Sequence, residues 1–134
     1  MNPKDERTWG TLVHLGGLIG MFIIPTVGNI LGVLILWLIK RNESSLVDEQ
    51  GKEAINFQIT ISIAAVALNV LSAILSGLWS MATFWSRGYF FYHWSWFELG
   101  NLVWILNVVF SIIAAVKASN GELYKYPVSL RLVK

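Results

Sequence analysis

Residues Thr8–Ile39 read TWGTLVHLGGLIGMFIIPTVGNILGVLILWLI, 32 positions without an Asp, Glu, Lys or Arg. A transmembrane helix needs about 20 predominantly apolar residues, so this stretch is too long for one span and short for two. It breaks at Pro25-Thr26-Val27-Gly28-Asn29. Proline stops a helix, and glycine and asparagine tolerate unusual dihedrals. The reading is a first helix over about 8–24 and a second over about 26–39. Fourteen residues rise roughly 21 Å, against a hydrocarbon core of about 30 Å. The pair is therefore either a tight transmembrane hairpin or a re-entrant one. The apolar run also exceeds the roughly 7–15-residue core of a signal peptide, so it is read as retained.

Two further charge-free stretches follow, Ala54–Ser86 and Leu99–Val116. They predict a third helix over 46–77 and a fourth over 98–118. The fold class expected is all-α, a single-domain integral membrane bundle of four helices over 1–134. Composition agrees: 55% of the chain is hydrophobic and 13% is charged, where a soluble domain carries about 25% charged residues. There is no cysteine, which excludes disulfides and thiolate metal sites. A net charge of +2 gives no reason to expect nucleic acid as a partner.

The basic residues orient the bundle. If the hairpin returns the chain to its starting side, Lys4, Arg7, Lys40, Arg41, Lys52, Lys117, Lys125, Arg131 and Lys134 share one side and only Arg87 lies opposite. By the positive-inside rule both termini are then cytoplasmic. A multi-pass protein of a bacterial cytoplasmic (inner) membrane is the expected location.

Gly16-x-x-x-Gly20 and Gly28-x-x-x-Gly32 let helix backbones approach closely, either within the hairpin or between two copies in a homo-oligomer. The third helix carries a polar stripe, Gln58, Ser62, Ala65, Asn69, Ser72 and Ser76, at a mean step of 3.6. The fourth carries Gly100, Trp104, Asn107, Ser111, Ala114 and Ala118. The two stripes are expected to pack together, with Asn69 and Asn107 at similar depth and able to hydrogen-bond. They serve as structural glue, a polar conduction path or a partner interface. His14 is the titratable group inside the first helix, in a packing, proton-sensing or partner-contacting role.

Ser44 and Ser45 precede Leu46-Val47-Asp48, and Ser45-x-x-Asp48 has capping-box spacing. The cytoplasmic first turns of the third helix offer Asp48, Glu49, Lys52 and Asn56 as a solvated face or a partner-docking surface. Residues 84–97, dense in Phe, Tyr and Trp, are expected to form an interfacial aromatic loop turning at Arg87-Gly88. The tail 119–134 alternates basic and apolar residues and suits an anionic leaflet or a partner.

No acid, base or arginine falls inside a span, which argues against pumps and charge-driven transporters. No metal-ligand spacing, nucleophile elbow or phosphate-binding loop is present, so no catalytic residue, cofactor or metal is expected. Partners are the lipid bilayer and a membrane protein or a second copy. The function read from the residues is a non-enzymatic membrane protein acting through protein partners. The alternative is a small self-assembled channel or passive transporter using the stripe of helix three.

Several segments carry a resemblance. They are Trp9-x-x-Leu12-x-His14-Leu15-x-Gly17, Pro25 with Gly28, Trp37-Leu38-Ile39-Lys40, Val47-Asp48-Glu49-Gln50-Gly51-Lys52-Glu53-Ala54-Ile55-Asn56-Phe57-Gln58 and Gly121-Glu122-x-Tyr124-x-Tyr126-Pro127. Over nearly the whole chain these resemble a small bacterial membrane family related to the chloroplast inner-envelope component of the Tic translocon. The resemblance implies a Tic-like, four-helix membrane protein with both ends on one side, and a role with translocation machinery.

Overall fold

The computed structural model describes the backbone of residues 1–82 and 89–134, and the side chains of all but residues 83–99 and 101. It contains four helices: α1 (Pro3–Ile23), α2 (Gly28–Lys40), α3 (Ser45–Ala82) and α4 (Tyr89–Ser119). An extended tail runs on from Asn120.

The starts of α1 and α3 depart from the sequence reading for a local cause. α1 begins at Pro3 rather than near Thr8, because Asn2 caps it: Asn2 Oδ1 accepts from Asp5 N at 2.8 Å, and proline occupies the first turn, where its missing N–H costs nothing. The α3 cap is Ser44, not Ser45. Its Oγ accepts from Val47 N at 3.3 Å and donates to Glu6 at 2.7 Å, tying the start of α3 to α1. The largest difference is in the aromatic segment. Residues 89–97 belong to α4 and are helical rather than a loop. The Arg87-Gly88 turn lies outside the described residues.

The α1–α2 turn places Thr26 at φ 86°, a left-handed conformation that is costly for a β-branched residue. Thr26→Gly is expected to stabilise the protein by about 1 kcal/mol, read as a raised midpoint of thermal unfolding in detergent. An unchanged or lowered midpoint would show that the turn does not hold this dihedral.

Within the hairpin the small-residue seam closes on itself. A Cβ on Gly20 would overlap the Gly28 carbonyl, and one on Gly32 would overlap the Gly16 carbonyl. The glycine patterns are thus used inside the chain, where two backbones touch. α1 and α3 each contact the other three helices, while α2 and α4 do not meet among the described residues. The core is a central α1/α3 pair flanked by α2 and α4.

The register between helices fixes how far each reaches. Gly10 faces Gln50 and Gly17 faces Gln58, so α1 runs beside α3 with an offset of about 40 positions. The end of α1 is then level with residues 63–64 of α3. From there α3 continues alone with α4 for about 27 Å at 1.5 Å per residue. The hairpin tip stands about 17 Å beyond the level of Glu53 by the same rise.

Polar side chains are buried beside the apolar ones between the helices, while large aliphatic residues cover much of the outside. His14, Gln50, Gln58, Asn107 and Ser111 are fully buried, while Phe22 is 83% and Met81 79% exposed. Exposed aliphatic residues continue along α3 (Val66, Val70, Ile74, Leu78) and α4 (Leu102, Ile105, Ile112, Val116). α3 and the Leu102–Ser119 part of α4 are long and apolar enough to cross a membrane, and α2 is a shorter apolar helix.

Candidate functional site

The polar side chains buried between the helices form two adjoining clusters. One centres on Gln58 of α3. Its Nε2 donates to Asn107 Oδ1 at 2.9 Å, and Asn107 Nδ2 donates back to Gln58 Oε1 at 3.2 Å, a reciprocal amide pair between α3 and α4. Ser111 Oγ donates to Asn107 Oδ1 at 3.1 Å. From α2, Asn29 Nδ2 donates to Gln58 Oε1 and to Ser62 Oγ, both at 3.0 Å. Gly17 of α1 is packed against the same glutamine amide, which a Cβ there would displace. Four helices therefore converge on one side chain. Placing these amides in apolar surroundings demands that they pair with each other, because an unpaired buried polar group costs about 1–3 kcal/mol.

The second cluster joins α1 and α3 to the tail. His14 Nε2 lies 2.6 Å from Gln50 Oε1, and His14 Nδ1 lies 2.9 Å from Tyr126 Oη. A glutamine carbonyl oxygen only accepts, so Nε2 carries the proton and Nδ1 accepts from the tyrosine hydroxyl. Burial pushes the Tyr126 phenol well above its ordinary value, and it remains the donor. Its ring stacks on Phe57 at 4.0 Å between centroids, with an 11° interplanar angle. The Ser111 hydroxyl lies beside the Tyr126 oxygen, which links the two clusters.

The tail is gripped further along α3. Asn56 Oδ1 accepts from Leu132 N and Val133 N at 3.1 and 2.7 Å, and Asn56 Nδ2 donates to Val133 O at 2.9 Å. Leu130 N donates to Thr60 Oγ1 at 2.8 Å, and Arg131 pairs with Glu53.

These contacts sort the residues singled out in the sequence. Gln58, Ser62, Asn107 and Ser111 come together between the helices, and His14 lies buried between Gln50 and Tyr126. The Asn69–Asn107 contact does not form. Asn107 is taken by Gln58, eleven positions nearer the start of α3, and Asn69 is exposed beside Gly100. The antiparallel register pairs 58 with 107, and sequence periodicity fixes a face but not that offset. Ser72 and Ser76 are buried on α3 beyond the hairpin. Asn56 is not free for a partner, since the chain's own tail saturates it. Glu49 is exposed.

Asp48 accepts from Trp37 Nε1 at 2.9 Å and pairs with Lys52. Arg41 sits over the same indole, 5.2 Å from its centroid. Partial burial opposes ionisation of Asp48, but the Lys52 ammonium, the indole N–H and the Arg41 charge outweigh it and hold the carboxyl below its ordinary value. A depressed folded-state pKa means stability that is present above the unfolded value of about 4 and is lost as pH falls through the folded value. Unfolding midpoints measured from pH 6 down to 2.5 should therefore fall more steeply at the acid end for the natural chain than for Asp48→Asn. Parallel curves would exclude this pairing.

Gln50 and Tyr126 entered the sequence reading only within the segments that carry the resemblance, and Asn29 only in the turn. Asn29 reads as turn chemistry, and no periodicity connects positions 14, 50 and 126. Among the described residues no group of three His, Cys, Asp or Glu could hold a metal ion.

A family model described as MamF/MmsF, magnetosome magnetite crystal formation protein family, matches residues 5–133. Comparison with curated proteins and with solved structures gave no match. The match overturns the Tic-like resemblance: the segments around His14, Gln58 and Tyr126 that carried it lie within the magnetosome family's model. The structural reason those segments attract attention is that they supply the interhelical and tail contacts, and such contacts report packing rather than a translocation role.

Proposed function

We propose, for a chain that belongs to the MamF/MmsF family of magnetosome magnetite crystal formation proteins, a non-enzymatic role through protein partners in the magnetosome membrane. The observation that carries this reading is an aliphatic outer surface around an interior in which polar side chains bond to one another. The amides and hydroxyls of the bundle are spent on holding α1, α2, α3, α4 and the tail together, and the outer surface is aliphatic. Gln58, Ser62, Asn107 and Ser111 are engaged with one another and with Asn29, which favours this reading over the channel alternative.

In this reading α3 and α4 cross the bilayer, and the α1–α2 hairpin is re-entrant. Its tip reaches about 17 Å past Glu53, against a hydrocarbon core of about 30 Å. Both termini and the 41–44 connection then share the cytoplasmic side, and the aromatic start of α4 falls near the opposite interface. A cysteine-free chain suits the topology test. A single cysteine replacing Val27 should resist membrane-impermeant thiol reagents from both sides, and labelling from the far side would show that the hairpin crosses.

The functional test is purification from native membranes in mild detergent. A reproducibly enriched membrane-protein partner is the expected result, together with altered magnetite crystals in cells lacking the chain. Recovery as a solitary monomer would count against the partner reading.

A further inference from the structure

A cavity of about 650 Å³ opens on the outer side of the α1/α4 seam, at the end of the bundle where α1 starts and α4 finishes. Lys4, Arg7, Thr8, Thr11 and Leu12 of α1 and Ser119 of α4 line it. Neither Lys4 nor Arg7 has an ion pair among the described residues. The neighbouring acids are engaged elsewhere. Asp5 is held by Asn2 at 2.8 Å, Glu6 accepts from Ser44 at 2.7 Å, and Glu122 pairs with Lys117 at 2.7 Å. The site thus presents two cations that no carboxylate contacts directly among the described residues.

Its hydroxyls have already placed their protons. Thr8 Oγ1 donates to Lys4 O at 2.9 Å, Thr11 Oγ1 to Arg7 O at 2.7 Å, and Ser119 Oγ to Val116 O at 2.7 Å. Their free lone pairs can only accept. The matching ligand carries negative charge for the cations and hydroxyl donors for the threonine and serine oxygens. Leu12 gives the lining an apolar member on the side toward the rest of α1. By helical spacing, Leu15 and Ile19 follow on the same face of α1, and Ile112 and Val108 follow Ser119 on α4.

From a cationic, acceptor-rich mouth at the charged rim of the bundle leading into an apolar groove, we infer that this cavity binds an anionic phospholipid with a hydroxylated headgroup. Lys4 and Arg7 take the phosphate, and the acyl chains run along the α1/α4 groove. The inference rests on the membrane reading above. A protein that keeps such a lipid at the foot of its α1/α4 seam would couple its packing to the anionic content of the cytoplasmic leaflet.

The test uses the full chain in nanodiscs of mixed phosphatidylglycerol and phosphatidylethanolamine, followed by native mass spectrometry of the lipids retained on release. Preferential retention of phosphatidylglycerol is expected, falling roughly tenfold or more in Lys4→Ala/Arg7→Ala. Both side chains are exposed, so the double variant should keep its unfolding midpoint. Lys125→Ala, a basic position on the tail outside the cavity, should retain the lipid as the natural chain does. Excess inorganic phosphate should leave it bound. Equal retention of the two lipids, retention unchanged in the double variant, an equal loss in Lys125→Ala, or displacement by inorganic phosphate would each overturn the site. Flotation with vesicles separates the two readings. A chain that enters bilayers without selectivity refutes the lipid site alone, whereas one that fails to enter refutes the membrane reading with it.

Discussion

Gly20→Leu is expected to destabilise the protein by about 3 kcal/mol or more, the largest single effect in the hairpin. The first atom of any side chain at Gly20 would overlap the Gly28 carbonyl, and Gly32 lies next to it. Backbone cannot step aside as a side-chain tip can, so α1 and α2 must separate. Separation would cost the packing of both helices on α3. In the membrane reading, lipid is as apolar as the helices and no hydrophobic drive would restore the contact. The measurement is thermal or denaturant unfolding in detergent, followed by tryptophan fluorescence. Gly77→Leu supplies the control: nothing lies within 4 Å of a Cβ there, and a better helix former in open space should be neutral or slightly stabilising. Similar losses at the two positions would mean that the close approach is not what holds the hairpin.

Gln58→Leu should cost about 3 kcal/mol by a different route. The volume is nearly kept, but Asn29, Asn107 and Ser111 lose their shared partner in a buried, apolar site. Asn107→Leu should cost somewhat less, because Gln58 keeps Asn29. In a double-mutant cycle the pair should show a coupling of about 1–2 kcal/mol, since leucine on both sides removes the orphaned groups together. Asn69→Leu should change stability by less than about 0.5 kcal/mol, as its side chain is exposed. A large loss at Asn69, or additive losses at 58 and 107, would return the interhelical contact to the pairing that equal depth suggested.

The contrast between Asn69 and Gln58 shows where a sequence stops being legible. The stripe on α3 was visible because 3.6-residue periodicity is a property of one helix. Which rung meets Asn107 depends on how far two helices slide past each other, and no local signal encodes that slide. Asn56 makes the same point. It sits in a polar, charged junction and reads as exposed. Its burial comes from residues 132 and 133, nearly eighty positions later, and extended chain carries no periodicity to announce where it docks. The aromatic segment differs for another reason. Bulky rings beside Arg87-Gly88 suggest a loop at an interface, yet aromatic residues are compatible with a helix, and α4 extends through them from Tyr89.

The sequence by itself determined the helix count and the break at Pro25, which follow from hydropathy and turn chemistry acting over a few residues or along one helix. Tertiary structure alone decided the register. It set Gln58 against Asn107, His14 between Gln50 and Tyr126, and the tail against Asn56. It also left the hairpin tip level with the middle of α3, and left Lys4 and Arg7 beside a cavity with no ion pair among the described residues. Those outcomes depend on how backbones of unequal length close-pack when their polar groups must find one another away from water, and that is a property of the assembled bundle.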